Sequence, residues 1–514
     1  MKVVWLMVVV VVLGGIGWGT GSLPPPPKPY KILMVLPFSA YSHMSMLKPF
    51  AKALADRGHE VVMLTNMAPS LKHQNIREVF HGLTNMFQNN TDPFSLSKKF
   101  PLKLIVDMAV FMTRNIYNVP EVMELYRRRK DFDLMVVDVF YNEMMYPFVH
   151  EVPFITFCPT TLHVIQSAVL GNPLNPALYT NFNDNYPRPM SLRDRVDNLL
   201  SQATFYSGMR LNLFAAVQEE ITARFPHLPP LEEIERNQSL SLINYHFSQN
   251  EVVPLLPSQL DVAGLHCHPA EPLSQKLEAW VEGAGEAGVV YFSLGSFTKG
   301  VFMPVHYRDM FLAAFGQLKQ RVIWKFEEEL QGIPDNVLFD TWIPQQDVLG
   351  DPRVKVFITQ GGRLSTLEAV YHSTPMVALP IVFDQFNNVA RLTDAGLAIV
   401  LYWKELSPQL IVDTVREVIN NPKYTERMKE ASFSFRDRPL TPLDKAVFWS
   451  EYVIRHQGAP QLRSPAIHLS WVEFLMLDVL VVILVTVFII IVSIWCLLKK
   501  VWRRLFGGGK EKEE

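Results

Sequence analysis

Thr341-Trp342-Ile343-Pro344-Gln345-Gln346-Asp347-Val348-Leu349, Phe357-Ile358-Thr359-Gln360-Gly361-Gly362-Arg363-Leu364-Ser365-Thr366-Leu367-Glu368-Ala369 and Pro380-Ile381-Val382-Phe383-Asp384-Gln385 belong to one stretch, residues 341–385, that decides the fold. Within it an apolar run, 354–359, breaks at a glycine pair and gives way to an amphipathic segment, 365–371. That is strand, tight loop and helix. A junction of this kind aims free backbone N–H groups at an anion, and the glycines leave room for a diphosphate.

The same alternation continues on both sides. Helices over 408–420 and 423–433 follow the stretch; a strand at 289–294, a helix at 307–319 and strands at 322–325 and 337–340 precede it. An earlier series opens with a strand at 30–36, an amphipathic helix at 44–57 closed by Gly58, and a strand at 60–64. This is a βαβ unit, hence a parallel sheet. Further strands are read at 134–137, ending at Asp138, and at 154–157. Met- and Phe-rich helical stretches, 102–115 and 199–216, fit either ordinary core or a greasy acceptor pocket. A proline-punctuated, aperiodic segment separates the two series. The pattern predicts an α/β protein of two doubly wound, Rossmann-like halves with a cleft between them. No G-x-G-x-x-G follows the first strand, which argues against a nicotinamide or flavin.

With 514 residues, 49% of them apolar, the chain can hold two or three domains with large cores. A net charge of −2 gives no basic field, so nucleic acid is not an expected partner. Three cysteines cannot form a disulfide framework; Cys496 lies in an apolar run, which leaves Cys158 and Cys267 as one bridge or two separate thiols. No spacing resembles a zinc site, and no metal is expected. Residues 1–22 have the layout of a cleavable secretory signal. Residues 479–498 are an uncharged run long enough to cross a bilayer, and Lys499, Lys500, Arg503 and Arg504 follow at once. The positive-inside bias puts those cations in the cytoplasm and the body of the chain in a lumen. Asn89 and Asn237 head glycosylation triplets, in keeping with that side.

Each half offers part of a transfer chemistry. His43 sits just past the carboxyl end of the first strand, where open α/β sheets bind ligands and an imidazole can take a proton at neutral pH. By itself a histidine there also fits a structural or exposed role. Asp138 ends another strand, either as a helix cap or as an acid that fixes the tautomer of His43. In the second half Trp342 reads as a stacking face for a nucleobase or as a core residue, with Gln345 nearby to meet polar edges. Ser365 either offers its hydroxyl and N–H to phosphate or caps the helix, with Glu368 completing a capping box.

Across residues 341–385 the order, spacing and residue types resemble the donor half of the UDP-glycosyltransferases, the membrane-anchored endoplasmic-reticulum family that includes the UDP-glucuronosyltransferases. Gly58-His59-Glu60-Val61, Tyr291-Phe292-Ser293-Leu294-Gly295-Ser296 and Arg321-Val322-Ile323-Trp324-Lys325-Phe326 extend the resemblance in the family's order. It implies the GT-B fold. The expected organisation is a signal peptide at 1–22, an acceptor-binding domain at 23–247, a linker at 248–284, a UDP-sugar-binding domain at 285–455, a juxtamembrane segment at 456–474, a transmembrane helix at 475–498 and a cytoplasmic tail at 499–514. The resemblance matches His43 and Asp138 to the family's base and orienting acid, Glu368 to the group that holds the ribose, and Asp384 with Gln385 to those that hold the transferred sugar. Ser296, Trp342, Gln345, Gln360, Gly361, Gly362 and Ser365 complete the expected donor site.

The implied activity is inverting transfer of a hexosyl or glucuronosyl group from a UDP-sugar co-substrate to a hydroxyl of a small lipophilic acceptor, without metal or other cofactor. Lys510 and Lys512 look like a dilysine retrieval signal, which implies a single-pass type I protein of the endoplasmic reticulum membrane. Two positions depart from the family pattern: Gln360 stands where many members have His, and Leu364 where many have Asn. Those departures support an alternative, a catalytically impaired UDP-sugar-binding or partner protein. No residue in the motif decides between glucose, glucuronic acid and N-acetylglucosamine. Neither the acceptor nor assembly with itself or another chain is legible.

Overall fold

The computed structural model describes residues 23–83, 92–95, 102–181, 184–328 and 330–506. The expected signal, Asn89 and the terminal lysines lie outside the described residues. The chain forms two compact units that divide between Arg463 and Ser464.

The first unit holds two parallel sheets. One contains β1 (Lys31–Leu36), β2 (Glu60–Thr65), β3 (Ile76–Phe80), β4 (Leu134–Asp138), β5 (Phe154–Cys158), β6 (Leu240–Ile243) and β7 (Gln259–Asp261), in the spatial order β3-β2-β1-β4-β5-β6-β7. The other contains β8 (Val289–Ser293), β9 (Arg321–Lys325), β10 (Val337–Asp340), β11 (Val354–Thr359), β12 (Met376–Ala378) and β13 (Ala398–Val400), in the order β10-β9-β8-β11-β12-β13. Both orders reverse beside the first strand of the series, which is where such sheets open a ligand crevice. The central strands read as unbroken apolar runs because helices cover both faces: β4 and β5 are buried along their whole length.

Helices α1 (Tyr41–Asp56), α2 (Leu102–Ile116), α3 (Leu192–Gly208) and α4 (Ala215–Arg224) surround the first sheet, with a π-helical turn, Met209–Phe214, joining the last two. The second sheet is surrounded by α5 (Gln275–Glu282), α6 (Val305–Phe315), α7 (Gln345–Gly350), α8 (Arg363–Tyr371), α9 (Gln385–Asp394), α10 (Pro408–Asn420) and α11 (Pro422–Arg436). Two segments cross the boundaries drawn from sequence. The stretch taken as a linker supplies β7 to the first sheet and α5 to the second core, where Leu277 and Val281 are buried. Helix α12 (Pro442–Arg455), inside the range expected for the second domain, packs Ala446, Val447 and Val453 against Ile32, Met34 and Phe50 under the first sheet. Its Glu451 meets Arg57 Nε at 2.5 Å and His59 Nε2 at 3.0 Å, and Tyr30 N–H donates to His59 Nδ1. His59 therefore ties the first βαβ turn to the returning helix.

The described cysteines are all free thiols. Burial pushes the Cys158 thiol up to about 12, which makes it inert at neutral pH. Asn237 is exposed on the turn before β6, where Arg463 donates to its backbone oxygen at 2.7 Å.

The second unit is dominated by α13 (Leu477–Phe506), a helix of 30 residues with a mean hydropathy of 3.2 over its most apolar window. At 1.5 Å per residue it exceeds the roughly 30 Å of a hydrocarbon core. It runs eight residues past the end expected at Leu498 and carries Lys499, Lys500, Arg503 and Arg504 within its last turns.

Candidate functional site

The strand ends of the first sheet bring His43 and Asp138 together. β1 and β4 are paired neighbours, so the loop after each leaves the sheet on the same side. His43, in the first turn of α1, places Nδ1 2.7 Å from Asp138 Oδ2, and the carboxylate is only 1% exposed. Its second oxygen accepts from Phe140 N–H at 3.0 Å, so Asp138 is held from two sides. The Phe140 ring meets the imidazole edge-on at 5.0 Å. Tyr141, just beyond, holds φ at 55°, a left-handed conformation that costs about 1–2 kcal/mol in a non-glycine residue. Asp138 caps no helix. Its partner is the histidine.

In the second half the glycine pair opens α8 as expected. Gly361 has φ +83°, and a Cβ there would lie 2.3 Å from Val389 Cγ2, so the position accepts only glycine. Gly362 is the N-cap of α8 and leaves the first amides of the helix without a side-chain cap. The capping-box reading of Ser365 fails, because Ser365 is the third helical residue and its hydroxyl accepts from Gln345 Nε2 at 3.0 Å. Glu368 likewise caps nothing. Its carboxylate accepts from Gln345 Nε2 at 2.5 Å, with His266 Nε2 3.3 Å from the other oxygen. Tyr291 O–H donates to Gln345 Oε1 at 3.2 Å, which fixes the orientation of the amide.

Trp342 is not a core residue. It is 54% exposed and meets Tyr41, two residues before His43, edge-to-face at 5.1 Å. The start of α1 and the donor motif thus face each other across the halves. Asp384 opens α9 and accepts from Asn388 Nδ2 at 2.8 Å; burial pushes its carboxyl up, with Asn388 and Arg363 acting against that. Phe383 before it has φ 55°, a second strained turn at the site. Gln385 is buried, and its Oε1 accepts from Ile381 and Val382 N–H at 2.8 and 3.0 Å, so only its amide NH2 remains for a ligand. Ser296 is half-buried on the turn after β8. Gln360 is buried with its amide against Gly295 and Gly362.

Three residues of this half meet the first half. Arg363 follows the glycine pair as a surface cation would, yet it is 7% exposed and reaches across to donate to Asn244 O at 3.2 Å; burial lowers its pKa to about 10. Leu364 is half-buried against the core of the first half, so the residue that replaces a polar one serves the interface. Arg391, the cation in α9 nearest in sequence to Asp384 and Gln385, is engaged by Glu251 at 2.7 Å and Asn250 at 3.1 Å. His266 was missed altogether. It lies in the aperiodic connector, where no periodicity marks a site residue.

A family model described as "UDP-glucoronosyl and UDP-glucosyl transferase" matches residues 31–512. UDP-glycosyltransferase UGT5 of Dactylopius coccus is 35% identical over 477 residues, covering 89% of this chain and 90% of that protein. UDP-glucuronosyltransferase 2B14 of Oryctolagus cuniculus is 32% identical, covering 83% and 84%. Among solved structures, the calicheamicin glycosyltransferase CalG4 aligns with a TM-score of 0.58 at 17% identity over 84% of this chain and 99% of its own. The spinosyn forosaminyltransferase SpnP aligns at 0.57 and 17% identity, over 83% and 100%. These neighbours share the GT-B fold. With two parallel sheets, a helix start left without a side-chain cap and a family match across nearly its whole length, the chain belongs to the UDP-glycosyltransferase family and is a UDP-sugar-dependent glycosyltransferase.

Proposed function

We propose that this enzyme transfers a neutral hexose, with inversion, from its UDP-sugar to a hydroxyl of a small lipophilic acceptor, His43 serving as general base and Asp138 as its orienting acid. The observation that carries the reading is the buried 2.7 Å contact of His43 Nδ1 with Asp138. A carboxylate there keeps the ring hydrogen on Nδ1 and leaves the Nε2 lone pair for the acceptor. As the acceptor oxygen bonds to the anomeric carbon, the bond to the diphosphate breaks and the hydroxyl proton passes to Nε2. Asp138 balances the imidazolium. One displacement without an enzyme nucleophile inverts the anomeric centre.

UDP leaves toward the uncapped amides of α8, with the hydroxyl of Ser365 and the amide of Gln360 as neutral donors. Trp342 offers its exposed face to uracil, Glu368 takes the ribose hydroxyls, and Asp384 with the Gln385 amide takes those of the sugar. These groups carry the leaving charge without a divalent cation. The hydrogen bond given up at Leu364 costs about 1 kcal/mol of diphosphate binding. Because Arg391 is engaged by Glu251, a carboxylate on the sugar finds no free cation in it, which favours glucose over glucuronic acid. Helix α13 anchors the enzyme in the endoplasmic reticulum membrane, with both sheets luminal and its trailing cations cytoplasmic.

UDP release from membranes carrying the full chain tests this. UDP-glucose, UDP-glucuronic acid and UDP-N-acetylglucosamine are each offered with phenol and steroid acceptors, alongside His43→Ala. Acceptor-dependent release that the substitution abolishes supports the mechanism and identifies the donor. Release equal in the variant, or a product of retained configuration, overturns it.

A further inference from the structure

We infer that His266, on the connector between the halves, is a positioning residue that holds Glu368 ready for the ribose, an inference that rests on the ribose-binding role proposed for Glu368. The connector is fastened to the donor half at successive points. Gln346 of α7 donates from Nε2 to His266 O at 3.0 Å and accepts from His268 N–H at 3.0 Å, while Glu271 N–H donates to Asp347 Oδ1 at 2.8 Å. The His266 backbone is thereby fixed beside Gln345, the neighbour of Gln346.

From that backbone the imidazole, almost wholly buried, places Nε2 3.3 Å from Glu368 Oε1 and 3.9 Å from the Cys267 sulfur. The carboxylate is the stronger acceptor of the two. Nδ1 is buried and has no hydrogen-bond partner among the described residues. The neighbouring carboxylate draws a hydrogen onto Nε2, which points at Glu368. With Gln345 Nε2 on Oε2 at 2.5 Å, each carboxylate oxygen has one donor and retains lone pairs for a diol. Without His266, Gln345 alone holds the carboxylate and Oε1 loses its fixed direction.

The test uses the full chain in membranes, with the UDP-sugar it turns over and the 2′,3′-dideoxyuridine analogue of that sugar. His266→Leu should raise KM for the ribose donor roughly 10-fold, the scale of one charge-assisted hydrogen bond, with kcat and acceptor KM unchanged. On the dideoxy donor, parent and variant should agree within about twofold, because both hydroxyls that Glu368 holds are missing. His266→Gln, which restores an N–H donor at similar reach, should recover most of the ribose-donor KM and serves as the readout if the leucine variant does not fold. An equal loss on both donors, a fall in kcat, or a glutamine variant no better than leucine overturns the inference. If Glu368→Gln also fails to distinguish the two donors, the ribose reading itself is wrong and the inference falls with it. If Glu368→Gln distinguishes them and His266→Leu does not, the inference alone is wrong.

Discussion

Replacing Asp138 by asparagine isolates the orienting carboxylate, because the surroundings dictate how the amide sits. Phe140 N–H donates to Oδ1 at 3.0 Å, so the amide oxygen stays there and the amide nitrogen takes the place of Oδ2. That NH2 then faces His43 Nδ1, 2.7 Å away in the parent, and makes the ring accept at Nδ1 and carry its hydrogen on Nε2. The lone pair meant for the acceptor's proton is lost. General-base catalysis contributes about 10²- to 10⁴-fold, and the equivalent change in the serine-protease triad lowers kcat by about 10⁴. We expect kcat to fall within that span, about 3–5 kcal/mol of barrier at roughly 1.4 kcal/mol per decade. Folding stability should drop by only roughly 1–3 kcal/mol, as one charge-assisted bond weakens. Donor KM should hold, since the donor motif lies in the other half. UDP release at saturating donor, normalised to enzyme in the membrane, measures the loss. His43→Ala should lose about as much, and the double variant no more. An asparagine variant within about threefold of the parent in kcat, under 1 kcal/mol of barrier, would refute the tautomer argument.

Other outcomes follow from the same geometry. Gly361→Ala forces a left-handed alanine whose Cβ would lie 2.3 Å from Val389 Cγ2; backbone strain and overpacking together should lower stability by about 2–5 kcal/mol, read as a drop in melting temperature of the detergent-solubilised enzyme. His81 and His163 are held neutral, burial lowering each to about 4, against an ordinary histidine value of about 6.5. Because the unfolded chain takes up these protons first, their contribution to stability is complete above pH 6.5 and is lost as pH falls toward 4. A His163→Gln variant should therefore lose less melting temperature between pH 7 and pH 5 than the parent; equal losses would dismiss the histidine as a source. Turnover should survive a chelator such as EDTA unchanged, and restoration of a lost rate by added magnesium would contradict the neutral-donor account of the diphosphate site.

Legibility followed the length of the signal. β1, β2, β4, β5, β8 and β11 are long apolar runs with sharp stops and were read within a residue or two; β6, β7, β12 and β13 have four residues or fewer and no alternation of their own. The site was readable where chemistry and motif coincide, as at His43, Asp138 and the Gly361–Gly362 pair. Where two roles share one residue type, only tertiary contact decides. Ser365 and Glu368 spell a capping box, yet the helix begins two residues before Ser365, and Gln345 takes up both side chains. Arg363 reads as a surface cation because arginine is seldom buried, but the interface supplies Asn244 O as its partner. His266 has no local signal at all, because its meaning lies in a residue about a hundred positions away.

The contacts between the halves constrain how the enzyme divides its work. From α9, Asn387 donates to Asp184 O at 3.1 Å and to Thr180 and Asn181 at 3.4 Å, while Arg391 and Arg188 both pair with Glu251. Asp384 and Gln385, proposed to hold the sugar, begin that same helix. Thr180, Asn181, Asp184 and Arg188, and the segment 244–251, which make these contacts, belong to the first half, the side proposed to bind acceptors. A helix packed by buried polar contacts on one face transmits a shift of those loops to its own first turn, because each lost bond leaves a buried group unpaired. Substitutions in the acceptor-side loops, or in α3, whose Asn198 and Gln202 donate to Tyr179 O, should therefore alter donor KM as well as acceptor choice, whereas changes in α2, which among the described residues has no such bond to α9 or to those loops, should alter acceptor choice alone. Donor and acceptor specificity are coupled here through α9.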